Sequence, residues 1–218
     1  MTHHASDLQI AGLAPLSTCD WPGRLVATVF LQGCPLSCGS CHNPDLIDPR
    51  VPGAMNWSEV TELLRRRRGL LDGVVFSGGE PTRQPALAAA ALEVREQGFG
   101  VGLHTAGTYP RRLAELLPLC DWVGLDIKAP ERLSTAVTGV AGAVGLAFAC
   151  LRLALESGVS LQVRTTVDPT TMDRDDVAEL CTRLRDLGVV DHVLQEVRPV
   201  GTRPEYAARL AEVTHARA

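Results

Sequence analysis

Short apolar segments of strand type alternate with helical stretches along most of this 218-residue chain, and this alternation restricts its fold more than any other feature. The predicted strands cover residues 24–32, 73–77, 100–105, 122–128, 159–167 and 189–197. The predicted helices cover residues 59–68, 85–97, 110–117, 141–157, 174–187 and 205–215. Strands separated by helices form right-handed βαβ units, so the sequence predicts an α/β protein with a parallel sheet.

The number of βα units narrows the architecture but leaves two possibilities. Six units are too few for the usual closed eight-stranded barrel, whereas a doubly wound open sheet and an incomplete, curved barrel both fit. Both architectures bind ligands beyond the carboxyl ends of the strands. Because the chain has no residue-level repeat and no linker-like break, we expect a single domain over residues 1–218.

Composition and charge exclude several classes of protein. With 45% hydrophobic and 21% charged residues, the chain is too apolar for wholesale disorder. A net charge of −4 and only 4% aromatic residues argue against nucleic-acid binding, and the arginine run 65–68 is interpreted as a solvated helix end. Since no apolar stretch reaches ~18 residues and residues 1–7 lack an apolar signal core, we expect no membrane association and a cytoplasmic location.

Three of the seven cysteines, Cys34, Cys38 and Cys41, crowd into the loop 33–44 after the first predicted strand. Without an export signal, an odd number of cysteines argues against a disulfide framework. The spacing lets three thiolates surround one metal centre, and three ligands on an iron–sulfur cubane leave one iron free for an exogenous ligand. Zinc with His42 as fourth ligand is an alternative, although adjacent ligands are geometrically awkward and the chain lacks a second CxxC pair.

The other four cysteines lie outside this loop. Cys120, Cys150 and Cys181 stand in apolar runs and are interpreted as buried thiols. Cys19, fifteen residues before Cys34, offers a possible fourth ligand that would make the centre an electron carrier. That alternative does not explain the polar residues at the strand ends.

Polar residues gather where predicted strands end. Gly78 and Gly79 follow the second strand and leave backbone open to a ligand, and Glu80 offers an acceptor for an ammonium group. Asp126 and Lys128 are two residues apart on a strand, so their side chains share one face. An acid–base pair at the end of an apolar run predicts a functional site.

Two later strands carry further candidates. Arg164 and Thr166 share one strand face, and Arg164 is expected either to meet a ligand carboxylate or to pair with Asp126 or Asp168. On the last strand, the residues Gln195, Glu196 and Arg198 are candidates either for substrate contact or for surface polarity.

The CxxxCxxC spacing followed by Gly-Gly-Glu-Pro after the second strand resembles the radical S-adenosylmethionine (SAM) superfamily, and the resemblance covers nearly the whole chain. It implies an incomplete (βα)6 TIM-like barrel with parallel strands and one [4Fe–4S] cluster. It also implies that Cys34, Cys38 and Cys41 hold this cluster, and that the SAM amine and carboxylate chelate the fourth iron.

The same resemblance suggests which residues contact SAM. The segment with Gly78, Gly79 and Glu80 matches the one that holds the methionine ammonium. The Asp-Ile-Lys segment resembles that of the pyruvate formate-lyase activating enzymes, whose matching Asp and Lys contact SAM. His104 and Thr105 match a polar strand end of the same relatives, where an Asp commonly replaces His104, so we interpret His104 as a neutral hydrogen-bonding residue. Ser40 stands where many members carry an aromatic residue, so the adenine pocket is not assigned.

Longer segments resemble the activating proteins of anaerobic ribonucleoside-triphosphate reductase. The segments are Asp20-Trp21-Pro22-Gly23, CHNP after the cysteines, GGEPT, LHTAGTYP and DWVGLDIKAP. The resemblance implies an activase that removes a hydrogen from a glycine Cα of a large glycyl-radical enzyme. It also implies a one-electron donor such as flavodoxin or ferredoxin.

Two other functions fit parts of the sequence. One is a small-molecule radical SAM enzyme such as a 7-carboxy-7-deazaguanine synthase, although the low aromatic content disfavours a heterocycle pocket. The other is an iron–sulfur electron-transfer module without catalysis, whose cluster spectrum would not respond to SAM.

Overall fold

The computed structural model describes residues 3–217 and contains one seven-stranded sheet in the order β1 to β7. The strands are β1 (Ile10–Ser17), β2 (Val26–Leu31), β3 (Gly73–Gly78), β4 (Gly100–Thr105), β5 (Trp122–Asp126), β6 (Ser160–Val167) and β7 (His192–Glu196). β1 pairs antiparallel with β2, and every later pair is parallel. Met1, Thr2 and Ala218, which the single-domain prediction includes, lie outside the described residues.

The sequential strand order distinguishes between the two predicted architectures. A doubly wound sheet reverses its strand order at a switch point, whereas here each parallel strand is followed by its neighbour in the sheet. The prediction of an incomplete barrel with six parallel strands is therefore confirmed, and β1 extends it on one edge.

The described residues include seven α-helices, of which the first six lie between strands and the last follows β7. They are α1 (Trp57–Arg66), α2 (Leu87–Glu96), α3 (Pro110–Leu116), α4 (Ser134–Thr138), α5 (Ala143–Ser157), α6 (Arg174–Asp186) and α7 (Pro204–Arg217). The main core lies between these helices and the outer face of the sheet, with Phe76, Leu103 and Phe148 among its fully buried side chains. On β2, Ala27, Val29 and Leu31 belong to this core, while residues between them face the barrel interior.

Several predicted boundaries are wrong. β1 was not predicted from the sequence at all. The predicted start of the first helix at residue 59 is two residues late, because α1 begins at Trp57 after Asn56, whose N–H donates to the Glu59 carboxylate at 2.9 Å. β5 ends at Asp126, so Lys128 lies just beyond the strand, and β7 begins only at His192.

The described residues include no single helix that is long and apolar enough to cross a membrane. One bent pair of helical segments, Glu131–Thr138 with Ala143–Ser157, passes the same test by length and composition.

Candidate active site

A cavity of about 330 Å³ opens at the carboxyl ends of the parallel strands. Ten of the eleven predicted site residues line it. They are Cys34, Cys38, Cys41, Gly78, Gly79, His104, Thr105, Asp126, Lys128 and Arg164. The loops after β2, β3 and β5 supply five of these residues, and the strands β3, β4, β5 and β6 supply the other five, so residues far apart in the sequence meet at one edge of the sheet.

The first half of the loop 33–44 is bonded to its surroundings through its backbone. The N–H groups of Gly33 and Cys34 donate to the carbonyls of Leu46 and Ile47 at 2.8 and 3.0 Å. Ser37 donates its N–H to the Thr138 carbonyl at the end of α4 at 2.9 Å. These backbone bonds fix the loop before any ligand binds, so the three thiols face one cavity without further folding.

The cysteine thiols are shielded from water to different degrees. Cys38 is buried, and Cys34 and Cys41 are partly buried. Burial raises the pKa of Cys34 to about 12 and also raises that of Cys38, while the Lys128 ammonium lowers both values. Binding of a metal would therefore have to displace protons from these thiols, and Lys128 favours that step.

The donor set fits an iron–sulfur cubane better than a single ion. Among the described residues, no three His, Cys, Asp or Glu side chains converge closely enough to hold one metal ion. A cubane presents its irons at separate corners, so its thiolates need not converge on one point. Cys19 is exposed, lies 3.5 Å from the Ser17 hydroxyl through its Sγ, and is absent from the cavity wall. The three loop cysteines thus leave one corner without a protein thiolate.

Gly78 and Gly79 are required by backbone packing. A Cβ atom on Gly78, whose φ is +117°, would stand 2.3 Å from the Leu31 nitrogen, and one on Gly79 would stand 2.5 Å from the Gly33 carbonyl oxygen. The loop after β3 therefore lies directly against β2 and the start of the cysteine loop. The sequence analysis expects glycines here so that a ligand can approach the backbone, and close packing of the backbone is a second reason for them.

Glu80 does not lie in the cavity, where the sequence analysis expects it to accept from a ligand ammonium. Its carboxylate is fully buried and does not line the cavity, so it is not placed to accept from a ligand ammonium. It instead accepts hydrogen bonds from the Thr82 N–H and hydroxyl, from the Thr105 hydroxyl and from the Ala106 N–H, at 2.6–3.0 Å. Burial raises the pKa of Glu80, and these hydrogen bonds oppose that rise. Glu80 therefore ties the loop after β3 to the end of β4.

Asp126 lies between two cations at the end of β5. Its Oδ1 accepts from Nε and Nη2 of Arg164 at 3.1 and 3.0 Å, and its Oδ2 accepts from Lys128 Nζ at 3.2 Å. Burial opposes ionisation of Asp126, but the charges of Lys128 and Arg164 outweigh it and lower its pKa to about 2. Of the alternatives left open for Arg164, the structure shows the pairing with Asp126.

The surroundings of His104 favour its neutral form. Its Nε2 lies 2.7 Å from the Asp20 carbonyl oxygen, which can only accept, so Nε2 carries the proton. Its Nδ1 lies 3.5 Å from the Ser77 hydroxyl. Burial and the neighbouring Arg164 charge lower the pKa of His104 to about 4.

Sequence reasoning missed several residues at the cavity. Asp20 and Ser77 line its wall, and the apolar side chains Leu36, Ile47 and Val137 also face it. The Asp20-Trp21-Pro22-Gly23 segment was a visible signal, because a turn with an aromatic residue interrupts two apolar segments. Thr166 and Gln195, which were considered as candidates, also line the cavity.

Comparison with known proteins assigns this geometry to a family. Residues 28–189 match the family model of the radical SAM superfamily. The chain belongs to that superfamily. It is 30% identical to a Methanocaldococcus jannaschii protein provisionally named a glycyl-radical enzyme activating enzyme, over 87% of this chain and 80% of that protein.

Two further relatives represent different branches of this superfamily. The pyruvate formate-lyase-activating enzyme of Clostridium pasteurianum is 30% identical over 85% of this chain and 79% of its own length. The 7-carboxy-7-deazaguanine synthase of Thermococcus kodakarensis is 28% identical over 68% of this chain and 66% of its own.

Solved structures agree on the fold. Streptococcus suis SuiB bound to S-adenosylmethionine matches with a TM-score of 0.64 at 16% identity, covering 85% of this chain and 44% of that one. The protein is therefore a radical SAM enzyme with glycyl-radical enzyme activases among its homologues, and its cofactors are a [4Fe–4S] cluster and SAM.

Proposed function

We propose that this radical SAM enzyme is an activase that installs a glycyl radical on a large partner, the anaerobic ribonucleoside-triphosphate reductase. The observation that carries the proposal is the meeting of three loop cysteines with the Asp126, Lys128 and Arg164 group in one cavity. Relatives named as glycyl-radical activases support the reaction, and the segments quoted from the sequence support the choice of reductase.

Cys34, Cys38 and Cys41 would hold the cluster. When bound, the reduced cluster supplies one electron that cleaves the sulfonium C–S bond of SAM, leaving a 5′-deoxyadenosyl radical that removes a hydrogen atom from a glycine Cα of the partner. A glycine suits this reaction, because the resulting radical is delocalised over the flanking amides and no side chain blocks its approach.

The residues around the cysteines would bind and orient SAM. Lys128 and Arg164 provide positive charge for its carboxylate, and backbone carbonyls near Gly78 and Gly79 provide acceptors for its ammonium group. Glu80 and Thr105 would act indirectly, by fixing the loops after β3 and β4. The apolar side chains Leu36, Ile47 and Val137 would exclude water around the adenine and the reacting carbon.

The proposal includes the setting of the reaction. A one-electron donor such as flavodoxin or ferredoxin would reduce the cluster. We infer a cytoplasmic location, because all seven cysteines are free thiols, as expected in a reducing compartment. We also infer that the whole chain acts as one domain.

A small-molecule radical SAM reaction is the second candidate, because a 7-carboxy-7-deazaguanine synthase is among the relatives. Such an enzyme would release product in proportion to SAM cleaved, without a protein partner. A non-catalytic electron carrier is less well supported, since Cys19 does not reach the cavity as a fourth ligand.

The test is to reconstitute the cluster anaerobically, then add reductant, SAM and candidate glycyl-radical enzymes. We expect a glycyl doublet by electron paramagnetic resonance (EPR) with the anaerobic reductase, and none with a reductase variant whose radical glycine is replaced by alanine. A doublet only with another glycyl-radical enzyme would change the partner. SAM cleavage that requires a small heterocyclic substrate would favour the second candidate.

A further inference from the structure

Below the cavity, a side chain from the turn between β1 and β2 fills the interior of the barrel. The indole of Trp21 lies against Gly73 on β3 and against Gly100 and Gly102 on β4. A Cβ atom added to these glycines would stand 3.1, 3.2 and 2.9 Å from the indole ring. Side chains at these strand positions would displace Trp21, so the glycines provide the space that it occupies.

Two more aromatic rings continue upward from Trp21. Trp21 stacks on Trp122 with ring centroids 5.8 Å apart and an angle of 19° between the ring planes. Trp122 and His104 form an edge-to-face pair with centroids 5.3 Å apart. A Cβ atom on Gly124 would stand 2.7 Å from Trp122, 3.0 Å from His104 and 3.2 Å from the Arg164 guanidinium. We call Trp21, Trp122 and His104 the aromatic floor.

A hydrogen bond connects this floor to the turn. His104 donates from Nε2 to the carbonyl of Asp20, the residue before Trp21, at 2.7 Å. The Asp20 carboxylate accepts from the Thr28 hydroxyl on β2 at 2.7 Å, which holds the turn against the barrel wall. The height of His104 in the barrel is therefore fixed both by stacking and by a hydrogen bond.

Arg164 rests on His104. Its Nη1 lies 3.1 Å from His104 Nε2, while its other nitrogens donate to Asp126. Because the Nε2 proton is already donated to Asp20, this contact is one of packing, and a neutral ring is the form that tolerates a guanidinium beside it. The guanidinium is thus held from the side by Asp126 and from below by the floor.

We propose that the aromatic floor positions Arg164, and through it Asp126, for SAM binding, with His104 as a positioning residue that acts through the Arg164 guanidinium. The inference rests on the proposed SAM contact of Arg164, and it is independent of the identity of the glycyl-radical partner. Lowering or loosening the floor would tilt Arg164 and weaken SAM binding without affecting the cysteine ligands.

The test measures SAM affinity without any partner enzyme. The cluster is reconstituted in wild type, His104→Leu and His104→Gln, reduced, and titrated with SAM while its EPR spectrum is followed. Leu removes the donor to Asp20, so we expect SAM binding to weaken about tenfold, the equivalent of one lost hydrogen bond. Gln keeps an N–H donor, so its Kd should stay within about threefold of wild type. Iron content and melting temperature should show all three proteins loaded and folded.

A matched pair of tryptophan variants separates positioning from stability. Trp57 is buried in α1 outside the barrel, where it stacks on Phe76 and donates to Glu93 at 2.6 Å. Trp21→Phe should weaken SAM binding several-fold, whereas Trp57→Phe should leave the Kd unchanged.

Either of two results would overturn the proposal: wild-type SAM affinity in His104→Leu, or equal shifts in Kd for the two tryptophan variants. If His104→Leu does not fold, the tryptophan pair decides the question alone. Since no partner is present, failure here leaves the proposed glycyl-radical reaction standing.

Discussion

The strands of the barrel differ sharply in burial from one side to the other. In β3 and β5 the first four residues of each strand are buried, whereas β7 has no buried residue at all. Leu103 on β4 is 1% exposed, and Leu194 on β7 is 48% exposed. β6 is intermediate, with Val163 and Thr165 as its buried residues.

This difference in burial agrees with the roles that we propose for the two sides of the barrel, with the cofactors on the buried side and the protein substrate on the exposed side. The cysteine loop, the Gly-Gly-Glu segment and Asp126 all lie at the carboxyl ends of buried strands, where packed neighbours hold the backbone in fixed positions. A cofactor site needs such support, because small displacements of its ligands cost affinity and rate. The exposed β7 edge, with Gln195 at the cavity, suits the approach of a large protein substrate.

Loss of any one of the three loop cysteines should have the largest effect. Cys34→Ala, Cys38→Ala and Cys41→Ala are each expected to lower iron content and to abolish 5′-deoxyadenosine formation, because the remaining two thiolates cannot hold a cubane in place. Product is measured by chromatography after anaerobic reconstitution. Cys181→Ala, which removes a partly buried thiol on α6, is the control and should keep both iron and turnover. Retained turnover in any of the three loop variants would falsify the ligand assignment.

The next effect concerns stability on the two sides of the barrel. Leu103→Ala should lower the free energy of unfolding by about 2–5 kcal/mol, because it leaves a cavity in the core. Leu194→Ala should change it by less than about 1 kcal/mol, since the side chain is half exposed. Urea unfolding of the cluster-free protein, with equal m-values for both variants, measures the difference. Similar losses for the two would mean that β7 is covered in solution.

Local pattern was enough to predict the buried strands and the cysteine loop, since their apolar runs and spacing are continuous in sequence. β1 was missed because Gly12 and Pro15 interrupt its apolar pattern, and an antiparallel edge strand needs no helix to precede it. The role of Glu80 was also out of reach, because its partners Thr105 and Ala106 are 25 and 26 residues away and meet it only after β3 and β4 pair. Likewise, nothing local indicates that Trp21 would fill a space left by glycines on two other strands.

The stability of the protein should depend on pH because of the lowered pKa of His104, which lies on the buried strand β4. The unfolded chain takes up a proton at His104 near its ordinary pKa of 6.5. The folded chain does so only near pH 4, because burial and the Arg164 charge lower the pKa of His104. The unfolded state therefore binds more protons between these values, and stability should fall by up to roughly 3 kcal/mol as pH drops from 6.5 to 4. The Asp126 contribution is lost only below its ordinary pKa of 3.8, as pH falls towards 2.

Denaturant unfolding of the cluster-free protein across this pH range measures the slope. In His104→Gln most of the loss between pH 6.5 and 4 should disappear. His192→Gln on the exposed β7 is the comparison, and it should keep most of the slope although burial also lowers the pKa of His192. An unchanged slope in His104→Gln would show that the pKa of His104 is the same in the folded and unfolded protein.

The smallest effect is expected where the two sides of the barrel meet, at Asp126 on β5 and Arg164 on β6. Lys128→Ala should weaken SAM binding about tenfold with iron content unchanged, because Arg164 still pairs with Asp126 and preserves part of the charge. Arg132→Ala, which removes an exposed arginine paired with Glu179, controls for net charge and should leave affinity unaltered. Equal SAM affinity in Lys128→Ala and wild type would remove Lys128 from the site. Loss of iron together with affinity would instead mean that the Lys128 charge, which lowers the pKa of Cys38, is needed to deprotonate the cluster ligands.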